Sequence, residues 1–158
     1  MKVFLDSSFF FPFIGVEVKN YPTKAILDLI KLESIEIYRS ELVIFELSAK
    51  GTKYVKQGAL SIEDVINGIN SIYYSLQVEV IPIHYSEIQS LAAELRHSHS
   101  DFIDCLTLAS AVHHSDLFLT FDLELHSKAQ SEWSRLLSIQ NKRFKVLLWK
   151  DFHLDEEK

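Results

Sequence analysis

Cysteine is almost absent from this chain. Cys105 stands alone, so no disulfide can form within the chain, and a reducing compartment suits it best. Long apolar runs are missing too. None approaches the roughly 20 residues needed to span a bilayer, although Phe9-Phe10-Phe11-Pro12-Phe13-Ile14 is locally very apolar. The N-terminus holds one basic residue, Lys2, before a stretch interrupted at Asp6, which does not match a secretory signal. The expectation is a soluble cytoplasmic protein that makes no use of a membrane. Positive charge is in deficit, with 16 Lys and Arg against 22 Asp and Glu and a net charge of −6. That balance argues against a broad electrostatic grip on nucleic acid. It leaves room for a nuclease whose carboxylates hold cations that in turn meet phosphate. Zinc-ligand spacing is lacking as well: His97 and His99 are one residue apart, His113 and His114 are adjacent, and no pair stands at i, i+4. Repeats, low-complexity segments and linkers are absent. A length of 158 residues with 47% hydrophobic content suits one domain over 1–150, followed by an acidic tail from Asp151 to Lys158.

What is present is an alternation of strand and helix patterns. Met1-Lys2-Val3-Phe4-Leu5 reads as a buried first strand that stops at Asp6. Pro22 suits a first helical position, and Ile26, Leu29 and Ile30 recur at helical spacing, giving a helix over 22–33. Ile35 to Tyr38 alternates as a strand. Ser40 is placed to cap a second helix that Gly51 would stop. Ser61 and Asp64 resemble a capping box for a third helix, with Val65, Ile66, Ile69, Ile72 and Tyr73 as its apolar face. Val78 to Ile83 is a strand that meets Pro82 near its end, and Ser86 opens a helix carrying Ile88, Leu91, Ala92 and Leu95. From Phe102 to His113 a helix is apolar nearly all round, which implies a buried position and makes Cys105 a small core side chain. Leu117 to Phe121 is a strand ending at Asp122, Leu125 to Leu137 a further helix, and Phe144 to Trp149 a last strand. About five strands interleaved with about six helices predict an α/β/α three-layer fold around a mostly parallel sheet.

Four acids stand out by position. Asp6 and Asp122 end two strands, Glu46 lies in the second helix, and Asp104 lies in the first turn of the apolar helix. In an open α/β sheet, groups at the carboxyl ends of strands project into the crevice where ligands bind. Carboxylates from separate segments that meet there suit hard cations such as Mg²⁺ or Mn²⁺, which favour oxygen ligands and promote hydrolysis at phosphorus. Each acid also has a purely structural use. Asp6 would form an Asx turn with Ser7 and Ser8; Glu46, with Lys50 at i+4, would join a solvated face, although Leu42, Val43 and Ala49 suggest the edge of a buried stripe. Asp101 would cap the apolar helix, Asp104 would sit at the positive end of its dipole, and Asp122 would cap the helix after it.

Taken together, Val3-Phe4-Leu5-Asp6-Ser7-Ser8, Glu46, Asp104-Cys105-Leu106-Thr107-Leu108-Ala109-Ser110-Ala111 and Leu119-Thr120-Phe121-Asp122-Leu123-Glu124-Leu125 resemble the pattern of PIN-domain nucleases. The likeness extends through the whole chain and is greatest to the VapC-type toxin ribonucleases. It implies a Mg²⁺- or Mn²⁺-dependent ribonuclease in which Asp6, Glu46, Asp104 and Asp122 form the metal pocket, leaving a 5′-phosphate and a 3′-hydroxyl on cut RNA. It implies supporting roles for Ser7 or Ser8 and Thr120 as orienting hydroxyls and for Asp101 and Glu124 as neighbouring acids. It also implies an antitoxin partner and a homodimer, with Phe9 to Ile14 or Ile66 to Tyr73 as possible interfaces. The segment between Asp122 and the last strand is longer than in compact toxins of this kind, and Phe9 to Phe13 is more aromatic. Lys50, Lys53 and Lys56, and later Lys142, Arg143 and Lys145, are candidate contacts to an RNA backbone, or else ordinary surface. The other classes are a non-catalytic PIN-like binding module and a phosphatase of the haloacid-dehalogenase kind. The phosphatase needs a second Asp two residues after the first, where this chain has Ser8.

Overall fold

Strand β1, Lys2–Leu5, buries Val3, Phe4 and Leu5 completely, as a strand covered on both faces must. The computed structural model describes residues 1–18, 21, 25–74 and 76–152. After β1 come a 3-10 helix at Ser7–Ile14, α1 (Ala25–Ile30), β2 (Glu36–Ser40), α2 (Leu42–Lys56), α3 (Ile62–Tyr74) and β3 (Glu79–Ile81). The second half holds α4 (Ser86–Leu95), α5 (Phe102–His114), β4 (Leu117–Thr120), α6 (Leu123–Gln130), α7 (Ser134–Gln140), β5 (Lys145–Leu148) and a 3-10 turn at Trp149–Asp151. The five strands form one sheet in the order β3-β2-β1-β4-β5, and every pairing is parallel. Pro22 and residues 153–158 of the expected tail lie outside the described residues.

Side chains alternate across the sheet and define two apolar layers. Phe4, Tyr38 and Phe118 face α4, α5, α6 and α7. Val3, Leu5, Ile37, Leu117 and Leu119 face the first 3-10 helix, α1, α2 and α3. The expected three-layer α/β/α architecture is therefore present, with α5 buried continuously from Cys105 to Val112. Among the described residues no helix is long and apolar enough to cross a membrane.

Several local expectations are corrected. Gly51 does not stop α2, which runs on to Lys56. A Cβ at Gly51 would lie 2.7 Å from Val65 Cγ1, so this glycine lets α2 approach α3. The left-handed turn after α2 falls instead at Gly58, with φ +73°. On α3, Val65 and Ile72 are buried but Ile66 and Tyr73 are more than half exposed. The single helix expected from Leu125 to Leu137 is broken at Ser131–Trp133 into α6 and α7. The break turns the Trp133 indole inward, where Nε1 donates to Ser98 Oγ at 2.8 Å. Phe9, Phe10 and Ile14 are fully buried and so unavailable as an interface. Phe9 packs on Phe121, Trp149 and Tyr21 at ring-centroid distances of 4.6, 5.6 and 5.9 Å.

Candidate active site

The sheet has one point where its order of growth reverses. The chain moves from β1 through β2 to β3 on one side and from β4 to β5 on the other. The crevice between β1 and β4 is thus the topological switch point, where open α/β sheets bind ligands. Register pairs Leu5 with Leu119, so Asp6 and Thr120 leave their strands side by side.

Asp6 is held there by four hydrogen bonds. Its Oδ1 accepts from Ser7 N at 2.7 Å and Ser7 Oγ at 3.5 Å, and its Oδ2 accepts from Ser8 Oγ at 3.0 Å and Thr120 Oγ1 at 2.8 Å. The fully buried Thr120 hydroxyl also accepts from Asp122 N at 2.9 Å. One hydroxyl therefore ties together the two acids that end strands. Asp122 Oδ1 in turn caps α6, accepting from Glu124 N at 2.7 Å and Leu125 N at 3.0 Å. Asp101 caps α5 in the same way, with Oδ1 2.8 Å from Ile103 N. The turn and cap uses of these acids thus coexist with their place at the crevice.

Glu46 and Asp104 enter from α2 and α5, and both are half-buried. Val43 and Leu47 form the buried stripe of α2 beside Glu46, while Ala49, expected on that stripe, is exposed. Burial, then the negative charge of Asp6, pushes the Glu46 carboxyl up to about 7, with Asp104 and Asp101 adding to the rise and a hydrogen bond from Ser7 opposing it. Burial also pushes Asp104 up to about 6, a hydrogen bond from His99 opposes it, and the charges of Asp6 and Asp101 add to it. Asp6 itself is raised, first by burial and last by Asp122, against the bonds from Thr120, Ser8 and Ser7. Asp6, Glu46 and Asp104 are each desolvated, and the charge of Asp6 acts on both of the other two. This is a donor set of hard oxygens whose charge a divalent cation would offset, and it fits Mg²⁺ or Mn²⁺. Among the described residues no three His, Cys, Asp or Glu side chains are already gathered tightly enough to hold an ion. The four acids share a field rather than a closed cage.

Glu124 belongs to a neighbouring network that spacing in the sequence did not reveal. His99 is buried, and its Nε2 lies 2.9 Å from Asp104 Oδ2. Its Nδ1 lies 3.1 Å from Lys128 Nζ and 3.5 Å from Glu124 Oε1. Lys128 also pairs with Glu124 Oε1 at 3.0 Å and donates to Ser98 O at 2.6 Å. The exposed Glu124 is therefore joined to Asp104 through an imidazole. The only sequence signal for this was a histidine just upstream of the capping Asp101, where the loop can fold back on the first turn of α5.

The candidate basic contacts divide. Lys50 Nζ lies over the Phe11 ring, 3.8 Å from its centroid. Lys145 pairs with Leu117 at the start of β4, whereas Thr120 pairs with Leu148. Lys142, Arg143 and Lys145 thus sit at the sheet edge opposite Asp6.

The family model for the PIN domain matches residues 3–130, a span that includes Asp6, Glu46, Asp104 and Asp122. The chain belongs to the PIN domain family. Among solved structures, this PIN domain is similar to a chain of VapBC2 from Rickettsia felis, a complex bound to a DNA fragment from its promoter. The alignment covers 94% of this chain and 99% of that one, at 17% identity and a TM-score of 0.57. At that identity the likeness is one of fold. No curated protein matches the sequence significantly.

Proposed function

We propose that this PIN domain is a Mg²⁺- or Mn²⁺-dependent endoribonuclease of the VapC kind, acting in the cytoplasm as the toxin of a toxin–antitoxin pair. The observation that carries this reading is the placement of Asp6 at the switch point, bonded through Thr120 to Asp122 and sharing charge with Glu46 and Asp104. Asp6, Asp104, Asp122 and Glu46 are the residues that would hold the cation. Bound there, the ion would supply the Lewis acidity that makes water nucleophilic near neutral pH and shields the phosphate.

The chain's own residues do the positioning. Ser7, Ser8 and Thr120 fix both oxygens of Asp6, so that carboxylate is set before substrate arrives. Thr120 holds the backbone of Asp122 against Asp6. Glu46, pushed up to about 7 by burial and by the charge of Asp6, is the acid whose ionisation a cation at this site would most favour. Hydrolysis of RNA there would leave a 5′-phosphate and a 3′-hydroxyl. Ile66 and Tyr73, projecting from α3, are the surface offered to an antitoxin or a second copy. The VapBC2 fold neighbour supports such a partner.

Cleavage of a labelled RNA with and without Mn²⁺ tests the reading. Asp6→Asn and Asp104→Asn are expected to abolish Mn²⁺-dependent cleavage while circular dichroism stays native. Wild-type protein that is inert on RNA with every divalent metal would defeat it. A non-catalytic PIN module is the second reading, favoured by the open arrangement of the acids. Tight RNA binding without cleavage would select it.

A further inference from the structure

We propose that His99 is a positioning residue for Asp104, holding one carboxylate oxygen so that the other is left for a cation, with Lys128 fixing the proton on the ring nitrogen that does the holding. The inference rests on the metal-site reading above only in taking Asp104 as a ligand.

The geometry assigns the proton. A lysine ammonium has donors and no acceptor, so at 3.1 Å from Lys128 Nζ the imidazole Nδ1 accepts. The ring proton then lies on Nε2, which donates to Asp104 Oδ2 at 2.9 Å. Which nitrogen carries the proton is set by the bond the other nitrogen makes. Glu124 Oε1 stands 3.5 Å from Nδ1 and 3.0 Å from Lys128 Nζ, so the lysine is its nearer donor and Lys128 Nζ is the nearer partner of Nδ1.

The loop that carries His99 is tied down from both neighbouring helices. Arg96 Nη1 at the end of α4 donates to His99 O at 2.5 Å, and Lys128 Nζ donates to Ser98 O at 2.6 Å. The Trp133 ring stands edge-on to the imidazole, with centroids 5.6 Å apart and planes at 86°, while its Nε1 bonds Ser98 Oγ. The imidazole therefore has little freedom in place or in plane. Among the described residues Asp104 lacks the fourfold anchoring of Asp6, and His99 Nε2 is the side-chain donor that orients it. Partners of this kind, one bond removed from a metal, set the direction and basicity of the ligand, and their loss typically weakens metal binding 10- to 100-fold. The break between α6 and α7 acquires a purpose on this reading, because it delivers Trp133 to the same loop.

Two measurements test the inference independently of RNA cleavage. In metal-free protein at neutral pH, long-range ¹H–¹⁵N NMR is expected to show His99 protonated at Nε2 with Nδ1 bare. A proton on Nδ1, alone or together with one on Nε2, overturns the assignment. Lys128→Met, which leaves the buried ring in place, is expected to move part of the population to Nδ1–H, and an unchanged spectrum overturns the role of Lys128. Mn²⁺ titration followed by EPR is the second arm. His99→Phe, which keeps a ring against Trp133, is expected to raise the Mn²⁺ Kd about tenfold or more, while His99→Gln, which retains an N–H donor, stays near wild type. Equal affinity in all three proteins, or equal loss in both variants, overturns the positioning role. Wild-type protein that binds no Mn²⁺ at all would defeat the metal site itself, and the NMR spectrum would still decide the bond between His99 and Asp104.

Discussion

Thr120 is a small group that holds much of the site together. Its hydroxyl, itself fully buried, donates to Asp6 Oδ2 and accepts from Asp122 N. Thr120→Val keeps the shape but removes both bonds. It is expected to cost about 1–3 kcal/mol of stability through unsatisfied buried groups and about 100-fold in RNA cleavage through misplacement of the acids. Thr120→Ser should restore most of each, as measured by urea denaturation and initial rates. Glu46 and Asp104 make a second prediction at this scale. Their pKa values stand at about 7 and about 6 in the folded chain, against ordinary values of 4.5 and 3.8. The folded state therefore binds these protons more tightly than the unfolded chain. Their stabilising contribution is complete below the ordinary values and drains away as pH rises through 6 and then 7. In EDTA the melting temperature should fall between pH 5 and pH 8, and Asp104→Asn or saturating Mn²⁺ should flatten that fall. An identical slope in all three conditions would contradict it. Asp6, Asp104 and Asp122 were legible in the sequence because each ends a strand or opens a helix, positions that pattern reveals. His99 was not, since its value comes from a loop folded onto α5 and from Lys128, which is far away along the chain.

At the scale of elements, two glycines decide how the apolar 3-10 helix after Asp6 is seated. A Cβ at Gly68 would come 2.1 Å from Phe13 O, and one at Gly51 would meet Val65 and Ile14. Helices α2 and α3 therefore approach this segment at close range, and α2 brings Glu46 with it. Gly68→Ala is expected to destabilise the fold by about 3 kcal/mol or more, because backbone must move to admit the methyl group. Gly51→Ala, opposed mainly by the Val65 side chain, should cost less; chemical denaturation of the two variants gives the comparison. Gly51 in a helical pattern reads naturally as a stop, and only the neighbouring helix shows that it is a contact. The division between α6 and α7 was hidden for a similar reason. Leu125, Ala129, Trp133 and Leu137 keep helical spacing, whereas the turn at Ser131 answers to the hydrogen bond that Trp133 makes with Ser98. The runs of β1 and β4 and the all-round apolarity of α5 gave no such trouble, because elements buried on every side carry their environment in their composition.

For the whole molecule, the sheet order places the candidate site at one edge. Asp6, Thr120 and Asp122 stand at the carboxyl ends of β1 and β4, while Lys142, Arg143 and Lys145 gather at the opposite end of β5. A strand of four residues separates the two edges by about 13 Å, too far for one phosphate to touch both. Replacing Lys142, Arg143 and Lys145 by glutamine is expected to leave kcat unchanged and to alter at most KM. A large fall in kcat would show that RNA crosses the sheet differently. The parallel three-layer fold could be read from alternating elements, but which edge each basic cluster occupies depends on strand order, which local patterns do not carry. The central claim is that four acids from β1, α2, α5 and the end of β4 serve one cation site. Anomalous diffraction from crystals soaked in Mn²⁺ tests it most directly. A manganese peak within coordination distance of Asp6 and Asp104, with Glu46 and Asp122 facing it directly or through water, is predicted; a map with no peak at the switch point, or with manganese bound only elsewhere, would contradict it.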